Sequence, residues 1–177
     1  HAVDGVMAHK LPTSSGARHR GTDGTGVDEE RGRCGRRRMT GAVRRAGFVE
    51  KQVEAGDVRI NYAEGPKNGP PLLLLPGQTM PWETYQRVLP ELSKRFHVLA
   101  MDVRGHGKSG WNKGHYDFPA MARDAAAVLR ASTSERAIVS GNSSGGVAAV
   151  ALAAQFPELV RGVFPEDPPL FSCEHPR

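Results

Sequence analysis

The sequence predicts an α/β fold, in which a mostly parallel β-sheet is covered by helices on both faces. Strand-like and helical segments alternate along residues 72–164 with short connections, which is the order that a parallel sheet requires. The run LLLL at residues 72–75 is apolar throughout, as in strands that are buried on both faces of a sheet. Glycines and serines cluster directly after a later strand, where folds of this class bind their ligands.

The predicted elements begin at residue 48. Two strand-like runs surround Ala55-Gly56-Asp57, which predicts an antiparallel hairpin. A linker rich in Pro, Gly and Asn follows at residues 65–71, and Pro157 ends the last predicted helix. The predicted strands are Phe48–Glu54, Val58–Glu64, Leu72–Leu75, His97–Met101, Arg136–Ser140 and Leu159–Phe164, and the predicted helices are Trp82–Lys94, Phe118–Leu129 and Ser144–Phe156.

Residues 1–47 are predicted to be a disordered basic leader, because they mix polar residues and glycine without a helical or strand period. They hold ten of the 24 Lys and Arg but five of the 19 Asp and Glu, which leaves fourteen of each in residues 48–177. The basic run at residues 31–45 fits either an arm for nucleic acid or a membrane surface, or a solvated extension. The extension is favoured, because no aromatic residue is interleaved for base stacking. The chain begins at His1 and Met39 precedes the first patterned segment, so whether residues 1–38 belong to the natural protein stays open.

Several classes of protein are disfavoured by composition. No run approaches the roughly 18 apolar residues of a membrane span, and no apolar segment suggests a signal peptide, so a cytoplasmic location is predicted. The neutral balance of residues 48–177 argues against a nucleic-acid partner. Cys34 and Cys173 lie far apart and outside any Cys/His pattern, so neither a disulfide framework nor a zinc site is expected. We expect no metal and no cofactor, and the oligomeric state stays open.

The candidate nucleophile lies in Gly141-Asn142-Ser143-Ser144-Gly145, which fits the pattern G-x-S-x-G between a predicted strand and a predicted helix. The flanking glycines allow the sharp turn that exposes a serine, and the helix N-terminus favours developing negative charge. Ser143 is the serine in register, since for Ser144 the first flanking residue would be an asparagine. A Gly/Ser-rich helix start or a phosphate-binding loop are the alternatives for this pentapeptide.

Two further segments extend this pattern: LLLLPG at residues 72–77 followed by QTMPW, and MDVRGHGKSG at residues 101–110. With the serine turn, they resemble the α/β-hydrolase family, in the branch that carries Asp-x-Arg-Gly-x-Gly-x-Ser after the fourth strand. Here that segment is Asp102, Arg104, Gly105, Gly107 and Ser109. The resemblance covers about residues 48–170 and implies a sheet of the α/β-hydrolase type. It makes residues 48–177 the amino-terminal part of such a domain, truncated after the sixth strand.

The resemblance also implies roles for single residues. Ser143 would be the nucleophile, and the backbone N–H groups of Gln78 and Ser144 would form the oxyanion hole. Pro76 stands where the family often has a histidine, a departure that affects the support of the turn rather than its N–H. Relatives that resemble epoxide hydrolases and haloalkane dehalogenases carry an aspartate in place of the serine. A serine makes an acyl-enzyme instead, so esters, lactones, thioesters and the carbon–carbon bonds of β-diketone-like compounds are the candidate substrates.

The catalytic base is expected to be missing. The family order is serine, then acid, then a histidine after the eighth strand, whereas this chain ends soon after the sixth. His106 is interpreted as a loop-stabilising residue, His115 as an exposed residue, and His175 as a residue that enters the cap. The chain as it stands is therefore expected to be inactive.

Asp167 is the candidate acid, because a minority of the family carries its carboxylate after the sixth strand. The alternative, a strand-end turn residue before two prolines, is favoured for it. The predicted function is a serine hydrolase that acts on a small carbonyl compound. The alternative is a binding protein or receptor of the same fold that never had a working triad.

Overall fold

Six strands form one sheet in the computed structural model, which describes residues 38–170. In chain order they are β1 (Val49–Ala55), β2 (Val58–Glu64), β3 (Pro71–Leu75), β4 (His97–Met101), β5 (Ala137–Asn142) and β6 (Val160–Glu166). Their order across the sheet is β1-β2-β4-β3-β5-β6. β1 and β2 form the predicted antiparallel hairpin, and β2 joins β4 antiparallel. β4, β3, β5 and β6 are parallel to one another, which confirms the predicted fold class.

Helices cover both faces of this sheet. One face carries α3 (Phe118–Ser132) and α4 (Ser144–Gln155), and the other carries α1 (Gly41–Arg45), a short 3-10 helix (Trp82–Tyr85) and α2 (Leu89–Leu92). The leucines of β3 alternate between the two cores, because successive side chains of a strand point to opposite faces. Leu73 and Leu75 pack in the core beside α3 and α4, whereas Leu72 and Leu74 pack in the core on the α1 side.

The predicted boundary at residue 47 lies too late in the chain. α1 occupies Gly41–Arg45, within the range assigned to the leader, and its Val43 is fully buried. The Thr40 hydroxyl accepts a hydrogen bond from Val43 N at the start of α1, and Thr40 N donates to Gln86 Oε1. A buried valine and the hydrogen bonds of Thr40 therefore hold a segment whose composition favours disorder. The rest of the predicted leader, residues 1–37, lies outside the described residues.

The single helix predicted over Trp82–Lys94 is wrong. The segment folds instead as the 3-10 helix Trp82–Tyr85 and the four-residue α2, which are joined by a turn. Pro90 explains the break, since it has no N–H to donate and its ring clashes with the carbonyl four residues earlier. The apolar spacing is real, however, because Trp82 and Leu89 are both fully buried.

The strands that lead to the candidate site are longer than predicted at their carboxyl ends. β5 continues to Asn142 and β6 to Glu166, and these two residues are paired in the sheet. In the part of the chain that the structure describes, β6 has a neighbour on one side only. An apolar groove of about 550 Å³ lies on the α2 side of the sheet near this edge. It is lined by residues that include Leu72, Leu74, Tyr85, Ile138 and Phe164.

Candidate active site

Ser143 occupies a strained turn between β5 and α4. Its backbone has φ 50° and ψ −119°, a region that residues with a side chain rarely adopt. The turn is held from both sides: Ser143 N donates to the Glu166 carbonyl at 2.8 Å, and the Ser143 carbonyl accepts from Gly146 N at 2.9 Å. This is the conformation that lifts a serine side chain out of the end of a sheet.

The two flanking glycines are required by close backbone contacts. A Cβ atom at Gly141 would lie 2.2 Å from the Gly145 carbonyl oxygen, and one at Gly145 would lie 2.2 Å from the Leu75 carbonyl oxygen. Both contacts are with backbone, which has no freedom to move aside. Helix α4 therefore starts in direct contact with the end of β3.

Ser143 and Ser144 differ in what their positions offer. Ser144 is the first residue of α4, so its backbone N–H has no partner within the helix and lies at the positive end of the helix dipole. The Ser143 side chain is half-buried and has no hydrogen-bond partner among residues 38–170. The geometry thus assigns the strained turn to Ser143 and the unpaired N–H to Ser144.

The segment after β3 lies against the serine turn. A Cβ atom on Gly77 would lie 3.0 Å from Asn142 Oδ1 and 3.5 Å from Ser143 Cβ. Gly77 opens a turn that Met80 N closes by donating to the Gly77 carbonyl at 3.1 Å. Gln78 lies within this turn and is exposed. We call residues 76–80 the β3 turn.

A cavity of about 300 Å³ joins the β3 turn to the start of α4. Gln78 and Ser144, the two predicted oxyanion-hole residues, both line it. Its other walls are mostly apolar side chains or backbone: Pro76, Gly77, Val103, His106, Tyr116, Phe118, Met121 and Gly145. No carboxylate lines this cavity.

Backbone strain is concentrated just after the carboxyl ends of the parallel strands. Within residues 38–170, positive φ outside glycine occurs at Thr79 (67°), Ser143 (50°) and Asp167 (46°). These three residues follow the carboxyl ends of β3, β5 and β6. Such conformations cost about 1–3 kcal/mol each and tend to cluster at functional sites.

Asp167 directly follows β6, and its chain neighbours contact the serine turn. The residue before it, Glu166, accepts the hydrogen bond from Ser143 N, and the residue after it, Pro168, would lie 3.0 Å from a Cβ on Gly146. The Asp167 side chain is exposed and makes no hydrogen bond within residues 38–170. Its role as the acid or as a turn residue stays a prediction.

The histidines are placed differently from one another. His106 lines the cavity, and its Nδ1 lies 3.0 Å from the Arg104 carbonyl oxygen. Because a carbonyl only accepts, Nδ1 carries the proton and Nε2 of the neutral ring is the acceptor. His115 is exposed, and its carbonyl accepts from the Arg104 guanidinium. His175 and Cys173 lie outside the described residues, as does Cys34.

Asp102 organises the loop after β4, a role that the sequence pattern did not reveal. Its buried carboxylate accepts hydrogen bonds from Trp82 N (2.7 Å), Asn61 Nδ2 (2.9 Å) and Lys108 N (2.9 Å). Burial raises the pKa of Asp102, and these three donors oppose that rise. A Cβ at Gly107 would lie 2.2 Å from this carboxylate, which explains the second glycine of the motif.

The arginine of the same motif is a structural residue. Arg104 donates from Nε and Nη2 to the two carboxylate oxygens of Asp124 in α3, both at 2.7 Å. It also donates to the His115 carbonyl and to Asp57 in the hairpin. The Arg104 guanidinium thus connects the β4 loop to α3 and to the turn between β1 and β2.

The described residues also bear on other functions. No helix within residues 38–170 is long and apolar enough to cross a membrane. In the same range, no group of three or more His, Cys, Asp or Glu side chains is placed to hold a metal ion.

Comparison with known proteins identifies relatives of this chain among curated enzymes. The chain is 34% identical over 116 residues to 2-(acetamidomethylene)succinate hydrolase from Mesorhizobium japonicum, a match that covers 66% of this chain and 41% of the relative. It is 35% identical over 119 residues to fluoroacetate dehalogenase from a Burkholderia species, covering 64% of this chain and 39% of the relative. The chain therefore spans about two fifths of the length of these curated relatives.

A solved structure and a family profile point the same way. The structure of the epoxide hydrolase CorEH superposes with a TM-score of 0.67 at 27% identity, over 73% of this chain and 46% of the other. The profile for the alpha/beta hydrolase fold matches residues 70–174, which include all three motifs. The chain belongs to the α/β-hydrolase family.

Proposed function

We propose that this protein is a serine hydrolase that acts through an acyl-enzyme on a small ester, lactone, thioester or related carbonyl compound. The observation that carries the proposal is the strained turn at Ser143, which lies directly beside a cavity lined by Gln78 and Ser144. The curated relatives named above are a hydrolase and a dehalogenase, which supports a hydrolytic reaction, whereas the acyl-enzyme is argued from Ser143 alone.

In the proposed reaction, Ser143 Oγ attacks the substrate carbonyl carbon while a base takes its proton. The carbonyl π electrons move to oxygen, and the N–H groups of Gln78 and Ser144 donate to the resulting oxyanion. Each such donor is worth on the order of 3 kcal/mol of barrier, because it meets full charge only in the transition state. The leaving group then departs with a proton, and water hydrolyses the acyl-enzyme by the same route.

The cavity favours a small and largely apolar acyl group. Its volume is about 300 Å³, and Val103, Phe118 and Met121 form much of its wall. The absence of a lining carboxylate in this cavity leaves the positive end of α4 unopposed.

The base that the proposed reaction needs is not found at His106. His106 is bound to the Arg104 carbonyl in the loop after β4, and no hydrogen bond joins its ring to Ser143 within residues 38–170. We propose that a histidine from sequence outside this range completes the site. Asp167 is the candidate acid, although a carboxylate after a further strand would serve equally. A cytoplasmic location and the lack of a nucleic-acid partner stay predictions.

The alternative is a small-molecule binding protein of the same fold without a working triad. The observation that favours it is the Ser143 hydroxyl, which has no hydrogen-bond partner among residues 38–170. Without a base, a serine keeps its proton, and only about a thousandfold rate effect from the oxyanion hole and binding would remain.

Labelling with a fluorophosphonate separates the two functions, since that probe reacts with an activated serine. The protein should be expressed with all coding sequence that follows Arg177 in its gene. We expect the wild type to be labelled, Ser143→Ala to lose labelling, and Ser144→Ala to keep it, because the Ser144 contribution comes from its backbone. Mass spectrometry of the labelled peptide identifies the serine.

The gene itself provides the second half of this test. A histidine in a loop after two further strand-like segments is expected if the protein is a catalyst, and an acid after the first of them would replace Asp167 in that role. A wild type that is not labelled, from a gene without such a histidine, would leave the binding protein as the better account.

A further inference from the structure

The loop that carries Gln78 is closed by a tyrosine hydroxyl. Tyr85 Oη donates a hydrogen bond to the Leu75 carbonyl oxygen, with 2.9 Å between the two atoms. Leu75 is the last residue of β3, and Tyr85 is the last residue of the 3-10 helix that follows the β3 turn. The bond therefore joins the two ends of the segment that contains Gln78.

The same carbonyl is in contact with the start of α4. A Cβ on Gly145 would lie 2.2 Å from the Leu75 oxygen and 2.6 Å from the Pro76 oxygen, so the two backbones approach as closely as glycine allows. Ser144, whose N–H is the second candidate donor, directly precedes Gly145. The Leu75 carbonyl therefore lies between the two backbone segments that carry the oxyanion donors.

The surroundings of Tyr85 keep its hydroxyl protonated. Burial raises the pKa of Tyr85 well above its ordinary value, and the negative charge of Glu166 raises it further. Glu166 is itself tied to β5, because its Oε1 accepts from Ser140 Oγ and its carbonyl accepts from Ser143 N, both at 2.8 Å. The hydroxyl is therefore a donor at any pH near neutrality.

We infer that Tyr85 is a positioning residue for the oxyanion hole. Its hydroxyl fixes the Leu75 carbonyl and, through that carbonyl, the distance between the N–H groups of Gln78 and Ser144. This inference rests on the proposed function, since it assigns Tyr85 to that reaction. Tyr85 lines the apolar groove on the α2 side of the sheet rather than the cavity beside Ser143, so it acts through the backbone and touches no substrate.

The test is Tyr85→Phe, which removes the hydroxyl and keeps the ring. A misplaced oxyanion donor weakens the transition state more than the bound substrate, so kcat for 4-nitrophenyl acetate should fall by about tenfold or more while KM changes by less than about twofold. The affinity for a boronic acid, which forms a tetrahedral adduct on the serine, should fall with kcat. The protein again includes all coding sequence after Arg177.

Tyr62→Phe is the matched control. Tyr62 is also buried, and its hydroxyl accepts from Ser132 Oγ at 3.3 Å, but it lies in β2 and outside the cavity. We expect Tyr62→Phe to keep kcat and the boronic acid affinity, even where it lowers the melting temperature as much as Tyr85→Phe does.

A fluorinated tyrosine at position 85 tests the hydroxyl without removing it, provided that its phenol is acidic enough to titrate within the working pH range after burial has raised its pKa. Its kcat should fall as the pH rises through the phenol pKa, because a phenolate has no proton to donate to the Leu75 carbonyl. The wild type should show no such decline. This measurement decides the question even if Tyr85→Phe does not fold.

The outcomes separate the inference from the function on which it rests. If fluorophosphonate labels Ser143 in the wild type but Tyr85→Phe matches Tyr62→Phe in kcat and in boronic acid affinity, the role of Tyr85 is overturned and the hydrolase stands. A pH profile that the fluorinated residue leaves unchanged has the same meaning. If the wild type is not labelled, both are overturned.

Discussion

At the scale of single residues, the site is built from backbone conformations that local sequence only partly reveals. The pattern G-x-S-x-G marks Ser143 and its strained turn, because glycine on both sides is a local requirement. No local pattern marks the bond from Tyr85 to Leu75, or the three donors that converge on Asp102, since these partners come from separate segments. Residue types reveal a turn that forms between neighbours in sequence, and they reveal much less about partners that only folding brings together.

The buried carboxyl of Glu83 is expected to lower the free energy of unfolding near neutral pH. The residue is 7% exposed, and its Oε2 finds no hydrogen-bond partner within residues 38–170. Burial raises the pKa of Glu83, and the negative charges of Asp102 and Glu50 add to that rise. A carboxyl whose folded pKa is raised stabilises the fold while it is protonated and loses that contribution as the pH rises through the folded pKa.

We therefore expect Glu83→Gln to stabilise the protein at pH 7, by about 1 kcal/mol or a few degrees in melting temperature. The gain should shrink as the pH is lowered toward 4.5, the ordinary pKa of a glutamate. The buried carboxyl, whose pKa is raised, is then protonated in the folded wild type and is as uncharged as the glutamine of the variant. Thermal unfolding followed by circular dichroism at several pH values measures this. Glu91→Gln is the control, since Glu91 is 78% exposed, and an equal effect of both variants would contradict the argument.

At the scale of elements, the bounds of helices and strands are predicted best where a residue pattern is compatible with only one kind of secondary structure. β4 has its predicted bounds, His97–Met101, and α3 and α4 begin at the predicted residues Phe118 and Ser144. The helix predicted over Trp82–Lys94 fails because short turns also bury apolar residues at that spacing, and Pro90 interrupts the helix. Periodicity shows which residues are buried, but it leaves open whether one helix or two short turns bury them.

The close contact between α4 and β3 predicts that a methyl group at residue 145 destabilises the fold. Gly145→Ala places a Cβ 2.2 Å from the Leu75 carbonyl oxygen, so α4 has to move away from β3. We expect a loss of about 2–3 kcal/mol in the free energy of unfolding, measured by urea denaturation. Gly162→Ala in β6 is the control, since its Cβ would meet nothing within 4 Å. The prediction is wrong if the two variants unfold at the same urea concentration.

At the scale of the whole molecule, the sheet of residues 38–170 has an open parallel edge. β6 has a partner on one side only in this range, and Phe164 on β6 is 65% exposed beside the apolar groove. An unpaired edge with exposed apolar side chains is a template for association with other chains. The 177-residue chain is therefore expected to self-associate as its concentration rises.

Phe164→Lys should reduce this association, because it places a charge on the open edge. Sedimentation velocity at several concentrations measures the effect. Trp111→Lys is the control, since Trp111 is 69% exposed but lies in the loop after β4. A wild-type chain that sediments as a monomer throughout, or a control that is as effective as Phe164→Lys, would contradict the role of the edge.

The hydrogen bond from Ser143 N to the Glu166 carbonyl also implies an order of events during synthesis of the chain. A ribosome completes Ser143 well before it completes Glu166, so a growing chain carries the serine before it carries the partner that holds the serine turn. A conformation that costs about 1–3 kcal/mol persists only where surrounding structure holds it, and here β6 supplies part of that structure. The proposed nucleophile is thus expected to pass through synthesis with a relaxed turn, which becomes fixed only when the last of these strands joins the sheet.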